Sequence, residues 1–402
     1  MKVVGLIAEY NPFHNGHKYH IEKAREITGA DAVIVVMSGN FVQRGAPAIM
    51  PKHLRAKAAL SEGVSLVIEL PVCFATGSAE FFALGAVSLL HKLGCVDSIC
   101  FGSECGDIEV LQNLAKIIHD EPEEYKLFLN QYLRQGNSFP LSRQKAIREY
   151  LHSDIADSIL SEPNNILGIE YLKAIYRLDS KMKPYTISRI ASHYHDTDLK
   201  EHFSSASALR QILHKREAFD LQNQVPASSV PLLKDAYQLQ YPICTNDFSV
   251  LLKYKLMNET KESLTAYMDV SEEVGNRICN QLNRFQSFDQ FCELLKTKEV
   301  TYTRISRALL HILLDIKKND MNCIEYARVL GLSSGDSELL TKIKKNSSIP
   351  LVTKLASVDT LSTSAKSQLE KDIYASNLYE TVLANKFKTP FRNEYEHPIV
   401  RI

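Results

Sequence analysis

The stretch Val3-Val4-Gly5-Leu6-Ile7-Ala8-Glu9-Tyr10-Asn11-Pro12-Phe13-His14-Asn15-Gly16-His17 decides the reading of this chain. Val3 to Ala8 is a continuous apolar run of the kind that forms a buried strand. Asn11-Pro12 favours a turn, and Lys18 to Thr28 has the composition of a helix. His14, Gly16 and His17 therefore stand where a strand gives way to a helix. Backbone N–H groups and the positive end of the helix dipole converge at such a junction and favour an anion. Imidazoles there can hydrogen-bond phosphate oxygens, and Gly16 lets a base or phosphate come close to the backbone. In isolation H-x-G-H is equally a polar turn in which one histidine caps the helix. Its strand–turn–helix setting favours the nucleotide site.

Working outward, Ala32 to Met37, Val64 to Leu70 and Ser98 to Gly102 are further apolar strand runs, with helical periodicity at Pro51 to Ser61 and Ala79 to Leu93. Such alternation predicts an α/β fold, a Rossmann-like parallel sheet with helices on both faces. Residues 108–180 read as a helical insertion that includes a helix over Asn165 to Leu178. A strand is expected at Pro184 to Ile190, then a helix over Ser205 to Leu213. Ligands bind beyond the carboxyl ends of such strands, at the switch in strand order. That rule singles out residues 9–17, 38–45, 102–106 and 189–196. Past residue 215 the alternation stops. Pro226-Ala227-Ser228-Ser229 reads as a linker, and residues 231–400 as largely helical, with no strand–helix alternation. The expected division is a catalytic domain over 1–215 and a mainly helical domain over 216–402.

Composition narrows the partners. The 402 residues carry a formal net charge of zero, so a polyanion would have to be held by local patches. No apolar run is long enough to cross a bilayer, and the amino-terminal stretch lacks a secretory pattern. The eight cysteines show no paired spacing, which suits free thiols in a reducing cytoplasm. Cys95, Cys100 and Cys105 match no common zinc spacing and read as core packing. His193-x-His195-Asp196 reads as a polar loop, and no metal site is predicted. Basic residues cluster in two carboxyl-terminal runs, one with Arg304 and Arg307, the other with Lys342, Lys344 and Lys345. Both suit an RNA backbone as well as a solvated helix face.

A second motif, Ser204-Ser205-Ala206-Ser207-Ala208-Leu209-Arg210, places hydroxyls at a helix start and an arginine about one turn in. Alone it is a serine N-cap with an exposed arginine. Beside H-x-G-H, it becomes a second phosphate-binding element, with the arginine within reach of a leaving pyrophosphate.

The two motifs together resemble the nucleotidylyltransferase superfamily, relatives of class I aminoacyl-tRNA synthetases, with Ser207 where a threonine is more usual. Further stretches sharpen the resemblance. Met37-Ser38-Gly39-Asn40-Phe41-Val42-Gln43-Arg44-Gly45, Val67-Ile68-Glu69-Leu70-Pro71, Phe101-Gly102-Ser103-Glu104, Pro163-Asn164-Asn165-Ile166-Leu167-Gly168, Lys183-Pro184-Tyr185 and Tyr302-Thr303-Arg304-Ile305 are similar to the bacterial tRNA(Met) cytidine acetate ligase family. The resemblance implies that ATP and acetate form acetyl-adenylate. The acetyl group would then pass to N4 of the wobble cytidine of elongator tRNA(Met), giving N4-acetylcytidine. It further implies catalytic roles for His14, His17, Ser205 and Arg210, with Mg²⁺ accompanying ATP. Nucleotide contacts are implied for Ile7, Ala8, Glu9, Tyr10, Asn11, Pro12, Phe13, His14, Asn15, Gly16, His17, Lys18, Tyr19, His20, Gly102, Asn165, Arg189 and Ile190. On the residues themselves, Asn165 is equally a helix cap and Arg189 an ion-pair partner, while Gln43 and Arg44 could face RNA or phosphate.

Two other functions use much of the same sequence. A small-molecule adenylyltransferase would carry identical catalytic motifs, but the large carboxyl-terminal region argues against it. A non-catalytic RNA-binding protein would have little use for His14, His17 and Arg210 together.

Overall fold

A computed structural model of the protein describes residues 1–189, 206–214, 223–321 and 323–402. The expected alternation is present. Strands β1 (Val3–Ala8), β2 (Ala32–Ser38), β3 (Leu66–Leu70), β4 (Ser98–Ser103) and β5 (Lys183–Ser188) line up in the order β3-β2-β1-β4-β5. All neighbouring pairs among these five are parallel. Along β2, Ile34 and Val36 face one apolar cluster while Val33, Val35 and Met37 face another, so both sides of the sheet are covered. That double burial is why the strands read as unbroken apolar runs and not as alternating ones.

Helix α1 (Asn15–Thr28) follows β1, α2 (Lys52–Ser61) precedes β3, and α3 (Ala79–Lys92) leads to β4. Four helices between Ile108 and Leu160 and then α4 (Pro163–Arg177) form the helical insertion. Strand order reverses between β2 and β4, on either side of β1. The carboxyl end of β1 is therefore the switch point where a ligand crevice is expected.

The carboxyl-terminal half is mainly helical, as expected, but it also adds strands to the sheet that the sequence reading did not place. After α5 (Ala206–His214), α6 (Ser249–Met257) and α7 (Tyr302–Leu313), the chain returns to the sheet as β6 (Ala327–Leu332), antiparallel to β3. Two short strands, β7 (Leu351–Val352) and β8 (Val400–Arg401), pair with β6, with α8 (Ser337–Asn346) and α9 (Thr363–Phe387) between elements. Arg328 breaks the apolar signal of β6. It is buried, with Nη2 3.7 Å from Glu394, an ion pair that a local reading cannot foresee.

Candidate active site

A cleft of about 940 Å³ opens at the carboxyl end of β1. The turn after β1 supplies its most informative wall. His14 is the N-cap of α1, in extended conformation, and its Nδ1 accepts a hydrogen bond from the Gly16 N–H at 3.1 Å. His17 answers in the opposite direction: its Nδ1 accepts from the His14 N–H at 3.3 Å. The two histidines thus form a capping box, a role usually taken by a hydroxyl residue and a Glu or Gln. Their rings stack with centroids 3.8 Å apart.

This geometry fixes their chemistry. With Nδ1 an acceptor in both rings, the proton of each neutral imidazole resides on Nε2, which is left to donate. Burial keeps them neutral. It pushes the His14 pKa down to about 3, helped by Arg189 and Arg210, and holds His17 well below the usual histidine range, helped by His14. His20 lies one turn further along α1 and also lines the cleft. Its Nε2 is buried without a hydrogen-bond partner, and burial, with Arg189, pushes its pKa down to about 4. The Tyr10 hydroxyl is likewise buried and unanswered, its ring edge-on to His17 at 4.8 Å. Unanswered buried polar atoms are rare and costly in native proteins. Two of them in one cleft mark capacity kept for a ligand.

Positive charge surrounds the turn. Arg210, on α5, donates to the Asn11 carbonyl at 2.7 Å and to Ser207 Oγ at 2.9 Å, so that helix is tied to the strand–turn junction. Arg189, just past β5, lies 3.4 Å from Asn164 Oδ1. A Cβ on Gly102 would come 3.2 Å from the Arg189 side chain, so glycine keeps the β4 end open. Gln43 and Arg44 line the cleft from a hairpin, Phe41–Val42 with Ala46–Pro47.

Ile7, Ala8, Glu9, Tyr10, Asn11, His14, Gly16, His17, Tyr19, His20, Gly102, Arg189 and Arg210 come together at the cleft. Several other expected residues do not. Phe13 is packed into the core, and Pro12 is absent from the lining. Asn15 Nδ2 donates to the Asn223 carbonyl at 2.9 Å, and Lys18 pairs with Glu62 at 2.9 Å. Asn165 is buried, its Oδ1 accepting from Glu104 and Cys105 N–H at 2.9 and 3.1 Å. It braces the turn after β4, and its neighbour Asn164 reaches the cleft instead. Ser205 and Ile190, with Ser204, His193, His195 and Asp196, lie outside the described residues.

The basic runs separate as well. Arg304 is exposed at the start of α7, beside the cleft residue Thr303. Arg307 is engaged with Asp269 at 2.8 Å. Lys342 donates to the Met1 carbonyl at 2.9 Å and sits 3.6 Å from Asp97. These partners lie at the amino-terminal ends of β1 and β4, so Lys342 and its exposed neighbours Lys344 and Lys345 on α8 stand at the opposite edge of the sheet from the cleft. Sequence reading missed Tyr171, Thr245, Thr303 and His214 in the lining. Only His214 had a local signal, four residues beyond Arg210 on one helix. Among the described residues no group of three or more His, Cys, Asp or Glu side chains is arranged to hold a metal, and no helix is long and apolar enough to cross a membrane.

Residues 1–394 match the family described as HIGH Nucleotidyl Transferase. The Clostridium acetobutylicum tRNA(Met) cytidine acetate ligase is 44% identical over 100% of both chains. The chain belongs to the tRNA(Met) cytidine acetate ligase family. Its relative of the same description in Acetivibrio thermocellus is 43% identical over 94% of each chain. The crystal structure of Thermotoga maritima TmcAL bound with alpha-thio ATP superposes with a TM-score of 0.92 at 32% identity, covering 100% of both chains. The apo form of that protein gives a TM-score of 0.93. Family membership agrees with the cleft at the switch point and with the imidazole pair it contains.

Proposed function

We infer that this protein is an ATP-dependent ligase that activates acetate as acetyl-adenylate and transfers the acetyl group to N4 of the wobble cytidine of elongator tRNA(Met). The observation that carries the reading is the capping box of His14 and His17. Both rings are neutral and spend Nδ1 on the backbone, which reserves Nε2–H for the nucleotide. Acetate is ionised at pH 7, so its attack on the α-phosphorus needs no general base. The step needs in-line positioning and donors aimed at the developing charge. The two Nε2–H groups serve the α-phosphoryl oxygens, and Arg210 and Ser205 the β- and γ-phosphates. Arg189 and Gly102 bound the nucleoside end, and the unanswered His20 Nε2 gains a partner when ATP is bound.

The described lining offers Glu9 as its carboxylate and no metal cage. Mg²⁺ accompanying ATP would therefore be carried chiefly by the triphosphate and water, as that ion prefers. In the second step the cytosine amine is a poor nucleophile, and the mixed anhydride compensates with AMP as leaving group. An anticodon loop presents its base unstacked. Arg304 at the mouth is the contact for its backbone.

The test is incubation with ATP, labelled acetate and tRNA(Met), then mass analysis of nucleosides. N4-acetylcytidine should form with AMP and pyrophosphate. Acetylated RNA formed from acetyl-coenzyme A without ATP would overturn the reading.

A further inference from the structure

Glu9 is the one carboxylate among the described residues that line the cleft. Around it stand Arg44, Arg189, Arg210 and neutral imidazoles. The first-step substrates, a triphosphate and acetate, are anions that a carboxylate repels. Its place is nevertheless built. Glu9 Oε1 accepts a hydrogen bond from the Gln43 N–H at 2.9 Å. Oε2 has no hydrogen-bond partner among the described residues. The carboxylate also lies in the fields of Arg55 and Arg210, and a ring of guanidiniums without a second carboxylate is a poor seat for a divalent cation.

The bond to Gln43 ties Glu9 to the hairpin, and the hairpin side of the cleft leads away from the histidines. The Ser306 hydroxyl donates to the Gly45 carbonyl at 2.8 Å, and the Ile243 N–H to Ile49 at 2.9 Å. These bonds set Ile243, Cys244, Thr245 and Thr303 beside the hairpin as a second wall. Glu9 thus stands between the imidazole pair and a compartment of apolar, thiol and hydroxyl groups at the mouth, which is of a kind to receive an uncharged base.

We propose that Glu9 receives the exocyclic amine of the target cytosine and accepts its proton during acyl transfer. This deepens the ligase reading above and rests on it. A carboxylate accepting from cytosine N4–H is the matched hydrogen bond for that base, whereas uracil would present a carbonyl to the same oxygen. In the step, the N4 lone pair attacks the acetyl carbonyl carbon and a C–N bond forms. The C–O bond to the phosphate breaks, and AMP leaves with its electron pair. The N4 proton passes to Glu9 Oε2 and from there to solvent.

The experiment is Glu9→Gln, which keeps the Oε1 acceptor for Gln43. Two rates are measured on the full-length enzyme: acetate-dependent ATP–pyrophosphate exchange without tRNA, and single-turnover acetyl transfer from enzyme-bound acetyl-adenylate to tRNA(Met). Transfer should fall on the order of 10²-fold more than exchange, with bound acetyl-adenylate accumulating. Proportional loss of both rates would overturn the proposal, as would undiminished transfer. Exchange restored by raised Mg²⁺ would make Glu9 a metal ligand and also overturn it. Absence of exchange in the wild-type enzyme would instead remove the ligase reading, and the proposal with it.

Discussion

Two clusters of buried titratable side chains lie near the carboxyl ends of the parallel strands, one beyond β1 and one beside β3. In the first, His14 and His17 spend only Nδ1 on the protein, and His20 leaves a buried ring nitrogen unanswered. In the second, charge meets charge. Lys52, 1% exposed, holds Nζ 2.8 Å from Glu69 and from Glu394, and donates to Ser376 Oγ at 2.8 Å. Glu394 has its carboxyl pulled below the usual carboxylate range, with Lys52 the leading favourable partner against burial. Both clusters pay desolvation; the second recovers much of it through its ion pairs, although Arg328 Nη1 and His53 Nδ1 beside Glu394 also lack a hydrogen-bond partner. The difference is one of kind: the second cluster sets charge against charge, whereas the first holds neutral rings that line a cleft.

The sharpest way to break this contrast is to remove a partner from the closed cluster. Lys52→Met leaves Glu69 buried without its cation, and Glu394 with only the longer Arg328 contact, and should cost about 3–5 kcal/mol of stability. Denaturant titration gives the value, and a loss below about 1 kcal/mol would show the cluster to be hydrated and open. In the binding cluster the loss should fall on chemistry. His17→Ala should lower acetate-dependent pyrophosphate exchange about 10²–10³-fold, as for loss of an oxyanion donor. His14 carries both roles, and two substitutions separate them. His14→Ala should cost about 1 kcal/mol of stability through the lost cap. His14→Asn retains an acceptor for the Gly16 N–H and should fold normally, yet lose exchange as His17→Ala does. Near-normal exchange in His14→Asn would show the cap to be its whole function.

Acid should weaken the ligand-free protein through the same histidines. Their folded pKa values, about 3 for His14 and about 4 for His20, lie below the unfolded value near 6.5. The unfolded chain therefore binds the extra protons first, and stability falls as pH drops from about 6.5 toward 4. Each buried ring contributes up to about 1.4 kcal/mol per pH unit. His20→Gln should flatten that slope by about one proton, and an unchanged slope would mean that His20 titrates normally.

The smallest effects concern RNA. Arg304→Ala should reduce the salt slope of tRNA binding by about one and leave exchange without tRNA intact. Lys342→Ala should leave tRNA binding unchanged, since Lys342 is tied to Met1 and Asp97 across the sheet from the cleft. A drop in the salt slope for Lys342→Ala would place RNA on that edge as well.

What the sequence determined by itself is what short-range chemistry dictates. A doubly buried parallel strand must be apolar throughout. Helix α1 begins on His14, which caps it, and H-x-G-H at a strand–helix junction is the local signal for that start. The H-x-G-H pair and the cleft beside it follow from the fifteen residues Val3 to His17, and the fold class from the strand–helix alternation that continues to Gly102. Where two neighbours shared one signal, the choice was not local. Asn164 reaches Arg189 while Asn165 turns into the β4 turn, a matter of one residue's rotation at the start of α4. Lys18 could serve a phosphate or an acid, and Glu62, distant in sequence, takes it. β6 was hidden because Arg328 finds Glu394 only when the sheet is assembled. Basic runs on α7 and α8 look alike in sequence, yet packing leaves Arg304 exposed beside the cleft residue Thr303 and ties Lys342 at the far edge. Glu9 belongs with these. Its identity is plain in the sequence, but its solitude among cations, and its bond to Gln43, exist only once the hairpin and the histidine turn meet. Long-range pairing depends on which surfaces folding brings together, and no window of sequence contains both sides of such a pair.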